Sequence, residues 1–501
     1  MRNRRLIRIL AIVLVALLVG GVVVSALLSA LAEPGPAASQ NRIELTMDYL
    51  EDEQALRVEQ RLVYVNGTGG RLDRVVFHAA ANMLRRESAL MYEPQDLEAV
   101  FPAGYAPGGI DLRAVRVDGV AADYGFQGED ELYLRVACDI APGGSAAFEF
   151  EYYLLLTECR AFIGVGETDV RLSAFCLTPC VYDGEGRRFS RERPLPFTRW
   201  LDTPAADYQL TLTLPEGCLA AASGNLRRVS AADGRALWRG EARGARDMAL
   251  CFGRRYRAVE VQTEDGATVR VLSRRRDGRR VARLAADALS RCAAWFGPSP
   301  VDTLTVAESD DPLEPINAAG LILMPSGLFD GSREATLKAK LRFCVAQQYF
   351  GLSAWVTPSA DAWLSDSVSA YVASLLLEDA DGHDAFLKAI NRDWVSALQL
   401  TIPGGLRVTS DAALFNAYEY DIVVKTRGAV VLHELREAMG LEALLQGLAK
   451  FYALGRDGRT LTEMDFVACM DAASGRSWKD FLTDWVFNVG EYVNQPIDWF
   501  S

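Results

Sequence analysis

The sequence predicts an α+β multidomain chain: an N-terminal transmembrane helix, an antiparallel β-sandwich domain, and then a mostly helical domain. Three observations carry this reading. A run of 24 uncharged residues, Ile9 to Ala32, follows a basic head. Period-two hydrophobic alternation recurs from Arg42 to about Arg257. After about residue 258 the period lengthens to that of helices.

The first element is the anchor, residues 1–33. Arg2, Arg4, Arg5 and Arg8 form the basic head. About 20 apolar residues cross a bilayer as a helix, whereas a cleaved signal has an apolar stretch of about 7–15. The positive head stays cytoplasmic, which predicts a single-pass cell-membrane protein with its bulk extracytoplasmic. Cleavage after Ala30-Leu31-Ala32, which fits the small-residue rule, is the alternative. A Pro/Gly/Ala/Ser linker at 34–41 follows.

The β-domain spans 42–257. Leu132, Leu134 and Val136 alternate with less apolar neighbours, as do Phe148, Phe150 and Tyr152. Tyr208, Leu210, Leu212 and Leu214 do the same before the turn Pro215-Glu216-Gly217. Alternation closed by turns describes half-buried antiparallel strands.

The last domain spans 258–501. Val281 to Phe296 reads as a helix stopped by Gly297-Pro298, and Leu304 to Glu308 as a short strand. Ser332 is the expected cap of a helix ending at Phe350, with Gly351 just beyond. Further helices are expected near 366–377, 383–396, 428–439, 442–452 and 462–473, the last opened by the capping-box pattern Thr462-Glu463-Met464-Asp465.

Half of the 501 residues are hydrophobic, 24% are charged, and the net charge is −13. Without the four head arginines the remainder is more acidic still, which argues against a nucleic-acid partner. Nine cysteines in a chain of this length do not form a disulfide framework. Cys176 and Cys180 would pair only in an oxidising compartment.

The chain has three histidines, His78, His383 and His433, and no His-Glu-x-x-His zinc motif. The surroundings of that motif are nevertheless here. Phe343-Cys344-Val345-Ala346-Gln347-Gln348-Tyr349-Phe350-Gly351 resembles the motif helix of the membrane alanyl aminopeptidase family, the zinc gluzincins, which reads His-Glu-x-x-His-Gln-Trp-Phe-Gly. Eighteen residues separate Gln347 from Asp366, the family's spacing to its third ligand. Trp363-Leu364-Ser365-Asp366-Ser367 resembles the family's Trp-Leu-Asn-Glu-Gly. Gly320 to Pro325, Lys425 to Ala429, Ser477 to Trp485 and Asp207 to Gly224 add weaker likenesses in the family's order, over roughly residues 42–490. The resemblance implies a thermolysin-like peptidase fold for 258–501 and zinc as the family cofactor.

Carried over residue by residue, the resemblance implies a degenerate site. The zinc ligands fall on Phe343, Gln347 and Asp366. The general base falls on Cys344. The residue that grips the substrate amine falls on Asn317, and the intermediate-stabilising tyrosine on Lys425. A catalytic zinc needs three protein ligands, and of these side chains only Asp366 is a good one. No zinc is expected, and no intact catalytic residue.

Three alternatives remain. His433-Glu434-Leu435-Arg436-Glu437 is a decoy for a zinc motif, better read as packing residues on a helix that begins at Gly428. Tyr418 or Tyr420 would supply the missing tyrosine; Tyr420, five residues before Lys425, sits about 140° off its face on a regular helix, so it would reach the cleft only if that segment were not helical. Cys344 beside Lys425 would make a thiol nucleophile. The expected function is a non-catalytic, membrane-anchored pseudopeptidase that binds a peptide or protein in a cleft at Asn317 and Asp366. The alternatives are a metallopeptidase with altered activity and a subunit of a membrane complex.

Overall fold

The computed structural model describes residues 41–487, apart from 88–89, 91, 93, 185, 194, 196, 198–200, 276, 395–396, 399, 401–404 and 457. The expected membrane helix and nearly all of the linker lie outside the described residues. Among the described residues no helix is long and apolar enough to cross a membrane.

Alternation becomes sheet wherever one face is buried. Asn41–Leu50 and Ala55–Val65 alternate buried and solvated side chains and pair antiparallel, with Leu45 opposite Gln60. They lie in the middle of an eight-stranded sheet. Ala206–Pro215, Arg235–Ala245 and Asn225–Ala232 continue it on one side, and Ser145–Leu155, Gly109–Val117 and Val120–Ala121 on the other. One pairing departs from the antiparallel expectation: Asn41–Leu50 runs parallel to Ala206–Pro215, with Ile43 opposite Tyr208. Parallel neighbours need a long crossover, and more than 100 intervening residues supply it here. Two four-stranded sheets and a two-stranded one, Tyr182–Asp183 with Arg188–Phe189, complete this part. Phe77, from one of them, meets Phe148 and Phe150 of the large sheet edge-on, at 5.1 Å each. All three rings are buried in one core.

The second part holds more sheet than the sequence suggested. Arg257–Gln262, Thr268–Ser273, Thr303–Ser309, Leu321–Pro325 and Ile316–Ala318 form a five-stranded sheet in that order. Its three inner strands are parallel and its two edge strands antiparallel. Inner strands such as Leu321–Pro325 are buried along their whole length, so they show no alternation to read.

Helix Gly278–Phe296 buries Val281, Ala285 and Leu289 in the same core as the sheet residues Val269, Val271 and Val306. Helix Glu334–Phe350 starts beyond Ser332, whose hydroxyl donates instead to Asp330 at 2.6 Å; Ser332 is not the cap. Helix Ala362–Asp381 runs about a turn longer at each end than expected. The helix expected at 383–396 is His383–Ala389 continued by a π-turn, Ile390–Trp394. Thr462 and Asp465 do form the reciprocal capping box at the start of Glu463–Ser474. Cys176 and Cys180 are buried free thiols.

Candidate functional site

The end of helix Glu334–Phe350 is buried on every side, from Cys344 to Phe350. Gln347 and Gln348 sit in that stretch, and buried amides must be hydrogen-bonded. The neighbouring helix Ala362–Asp381 is buried from Ala362 to Ser369, which encloses Asp366. Asn317 comes from the edge strand Ile316–Ala318 and is also buried.

These side chains satisfy one another. Gln348 Nε2 donates to Asn317 Oδ1 at 2.6 Å and to the Ala318 carbonyl at 3.1 Å. Asn317 Nδ2 donates to the Cys344 carbonyl at 2.9 Å and to Gln347 Oε1 at 3.1 Å. Gln347 Nε2 donates to Asp366 Oδ1 at 2.8 Å. Tyr420 Oη donates to Asp366 Oδ2 at 2.8 Å, and Ser365 Oγ to Oδ1 at 3.3 Å. The result is a hydrogen-bonded chain from Gln348 through Asn317, Gln347 and Asp366 to Tyr420. The Gln347–Asp366 spacing read from the sequence thus brings the two side chains into direct contact.

Tyr420 corrects the sequence expectation. Its segment is helical, yet the side chain reaches Asp366. The reason is the helix type. Ala417–Tyr420 is followed by a π-helix, Asp421–Arg427. Its i→i+5 bonding widens the turn, so residues five apart return to nearly one face. Lys425 Nζ therefore lies 5.8 Å from the centre of the Tyr420 ring and 5.4 Å from that of Phe343. Tyr418, in contrast, points outward and is 64% exposed.

Electrostatics follow from burial. Desolvation raises the Asp366 carboxyl above its ordinary value, although Lys425 and the donors Tyr420 and Gln347 pull it down. Burial pushes the Lys425 ammonium down, but the charges of Asp421, Asp366 and Glu314 outweigh this and hold it up. Its ion-pair partner is Asp421, at 3.1 Å. Cys344 is 2% exposed, and burial pushes its thiol up to about 12, against the thiolate a nucleophile requires. Lys425 lowers that value only as a minor contributor.

The histidines lie elsewhere. His433 is buried, 3.4 Å from the Tyr371 hydroxyl, and burial pushes it down to about 4. His78, in the β-part, is buried 3.2 Å from the Asp202 carbonyl oxygen. His383 is at the surface, 2.7 Å from Glu378. Among the described residues no three His, Cys, Asp or Glu side chains group as a metal site would.

Asn317, Gln347, Phe343, Cys344 and Lys425 all line one cleft of about 740 Å³, whose far wall includes Phe197 and Leu313. Phe197 stacks on Tyr420 at 4.4 Å. Sequence reasoning missed Phe197, for which there was no signal, and Gln348. The signal for Gln348 was an amide among Val345, Ala346 and Tyr349, where a helix is otherwise apolar.

A sheet part followed by a part with most of the helices resembles the fold of solved two-domain M1 zinc metallopeptidases. A solved M1 zinc metallopeptidase from Deinococcus radiodurans is similar over 91% of this chain and 94% of its own, with a TM-score of 0.63 and 19% identity. A variant of the enzyme from that organism, solved with Tyr-Ser-Ala as substrate, matches 89% of this chain and 93% of its own at TM-score 0.62 and 20% identity. A two-domain M1 variant bound to L-tryptophan matches 91% of this chain and 97% of its own, at TM-score 0.63 and 19% identity. No family model and no curated protein matches the chain.

Proposed function

We propose that this chain is a membrane-anchored, extracytoplasmic pseudopeptidase: an aminopeptidase-like protein without a catalytic zinc, whose cleft binds a peptide or a protein. The observation that carries the reading is the hydrogen-bonded network from Gln348 to Tyr420. Its bonds at Gln347 and Asp366 engage groups that a metal ligand would turn towards an ion.

The side chains present do not fit a catalytic zinc. Such an ion takes three nitrogen, sulfur or oxygen ligands and keeps one open position. Phe343 offers no lone pair. Gln347 has its oxygen on Asn317 and its nitrogen on Asp366. Asp366 alone is a good ligand, and it already accepts from Gln347, Tyr420 and Ser365. At the general-base position Cys344 carries a thiol that burial keeps protonated, so it cannot take a proton from water, and its backbone carbonyl is engaged by Asn317.

Peptide binding is supported by the cleft of about 740 Å³ that Asn317, Gln347, Phe343 and Lys425 line. Membrane attachment rests on the uncharged run Ile9 to Ala32 behind four arginines. The test is to incubate the purified chain, with and without added zinc, with aminoacyl-4-nitroanilides and short peptides. No zinc-dependent release is expected; turnover that a chelator abolishes would overturn the reading.

A further inference from the structure

We propose that the cleft is one half of an open-ended groove that takes an extended polypeptide segment running out at both ends, with no requirement for a free terminal amine. This rests on the non-catalytic reading above and specifies its ligand.

The first support is continuity. Beside the 740 Å³ cleft lies a second groove of about 930 Å³, between helix Ala362–Asp381 and the segment containing Ile390 and Trp394. The two share a wall made by Ala339, Phe343, Ala370, Tyr418, Asp421 and Lys425. Each is within the range of about 300–1,000 Å³ that holds a whole small ligand, so together they exceed what a tripeptide fills. Two of the shared residues are alanines, which keeps the saddle between the grooves low. A chain lying over it meets the Phe343 ring and the partly exposed Lys425 side chain, 5.4 Å apart.

The second support is charge. A terminal amine is held by an uncommitted carboxylate. Here Glu314 pairs with Lys340, Asp421 with Lys425, Asp381 with Arg342 and Asp393 with Arg392. Glu334 pairs with Lys338. Of the carboxylates lining the two grooves, only Asp96 has no ion pair among the described residues, and it stands on the β-part near Tyr92. The floor is neutral: the amides of Asn317 and Gln347 line it, and Asn317 is already bonded to Gln347, Gln348 and the Cys344 carbonyl. Within the network Gln347 uses one N–H and one lone pair, which leaves one of each. That pair of groups matches the N–H and C=O of an internal peptide unit.

The experiment uses the full chain in detergent and four probes: Tyr-Ser-Ala with free and with capped ends, and a dodecapeptide of four Tyr-Ser-Ala repeats, free and capped. Binding is read by calorimetry, with mass spectrometry of the same samples. The capped dodecapeptide is expected to bind at least about twentyfold more tightly than the capped tripeptide, beyond the roughly fourfold that four repeats give statistically. Removing the caps, or Asp96→Asn, is expected to change affinity by less than about twofold. Ala339→Trp, at an exposed saddle position, is expected to weaken the dodecapeptide about tenfold and leave the tripeptide nearly unchanged; Ala370→Trp repeats the test from the other helix. The groove is overturned if length brings no gain, if the free amine dominates, if both blocking variants bind normally, or if no probe binds at millimolar concentration. Cleavage of a probe overturns the non-catalytic reading instead, whatever the length dependence.

Discussion

Replacing Tyr420 with Phe removes one oxygen from a fully buried place. That oxygen donates to Asp366 Oδ2 at 2.8 Å, and both side chains are buried. A hydrogen bond to a charged partner contributes about 1.5–3 kcal/mol and a neutral one about 0.5–1.5 kcal/mol. The pH dependence has a definite sign. Burial raises the Asp366 carboxyl above 3.8. A carboxyl raised on folding leaves stability intact below its unfolded value, and stability is lost as pH rises through the folded value. Losing the Tyr420 donor raises the folded value further and deepens that loss. Tyr420→Phe is therefore expected to destabilise by about 2 kcal/mol at a pH where Asp366 is ionised and by about 1 kcal/mol in acid, where it is protonated. Urea denaturation at both pH values, followed by tryptophan fluorescence, measures this. A change below about 0.5 kcal/mol at both pH values would refute the bonded network.

Phe343→His with Gln347→His places two imidazoles four apart on one helix, opposite Asp366, and is expected to bind about one equivalent of zinc where the parent binds none; calorimetry with zinc decides it. Cys344, with its thiol pushed up to about 12, is expected to resist iodoacetamide at pH 8 in the folded chain; selective alkylation there by peptide mapping would restore the thiol-enzyme alternative. Gly428→Ala would set a Cβ 2.0 Å from Ser367 Oγ, where the helix from Gly428 meets the Asp366 helix. It is expected to cost about 1–3 kcal/mol in the same denaturation assay.

What the sequence revealed of this site was its spacing. Gln347 and Asp366 were paired by an eighteen-residue interval, and they touch. Asn317 was placed beside them by a weaker likeness, and it too belongs to the network. Tyr420 was misplaced because a regular helical period was applied to a π-helix, whose wider turn leaves no composition signal. In the five-stranded sheet the sequence marked strands at Leu304 to Glu308 and Gly320 to Pro325 but not Arg257–Gln262, Thr268–Ser273 or Ile316–Ala318, since short and edge strands look like loops. The parallel pairing of Asn41–Leu50 with Ala206–Pro215 joins residues too distant in the chain for any local pattern to report. Ser332 had a cap's chemistry but an aspartate two residues away for its hydroxyl.

The most direct test of the account is the metal content of the full chain, expressed in zinc-supplemented medium and purified without chelator. A side-chain network that satisfies Asn317, Gln347 and Asp366 among themselves predicts zinc far below one equivalent per chain. One equivalent of zinc, lost on Asp366→Ala, would contradict it.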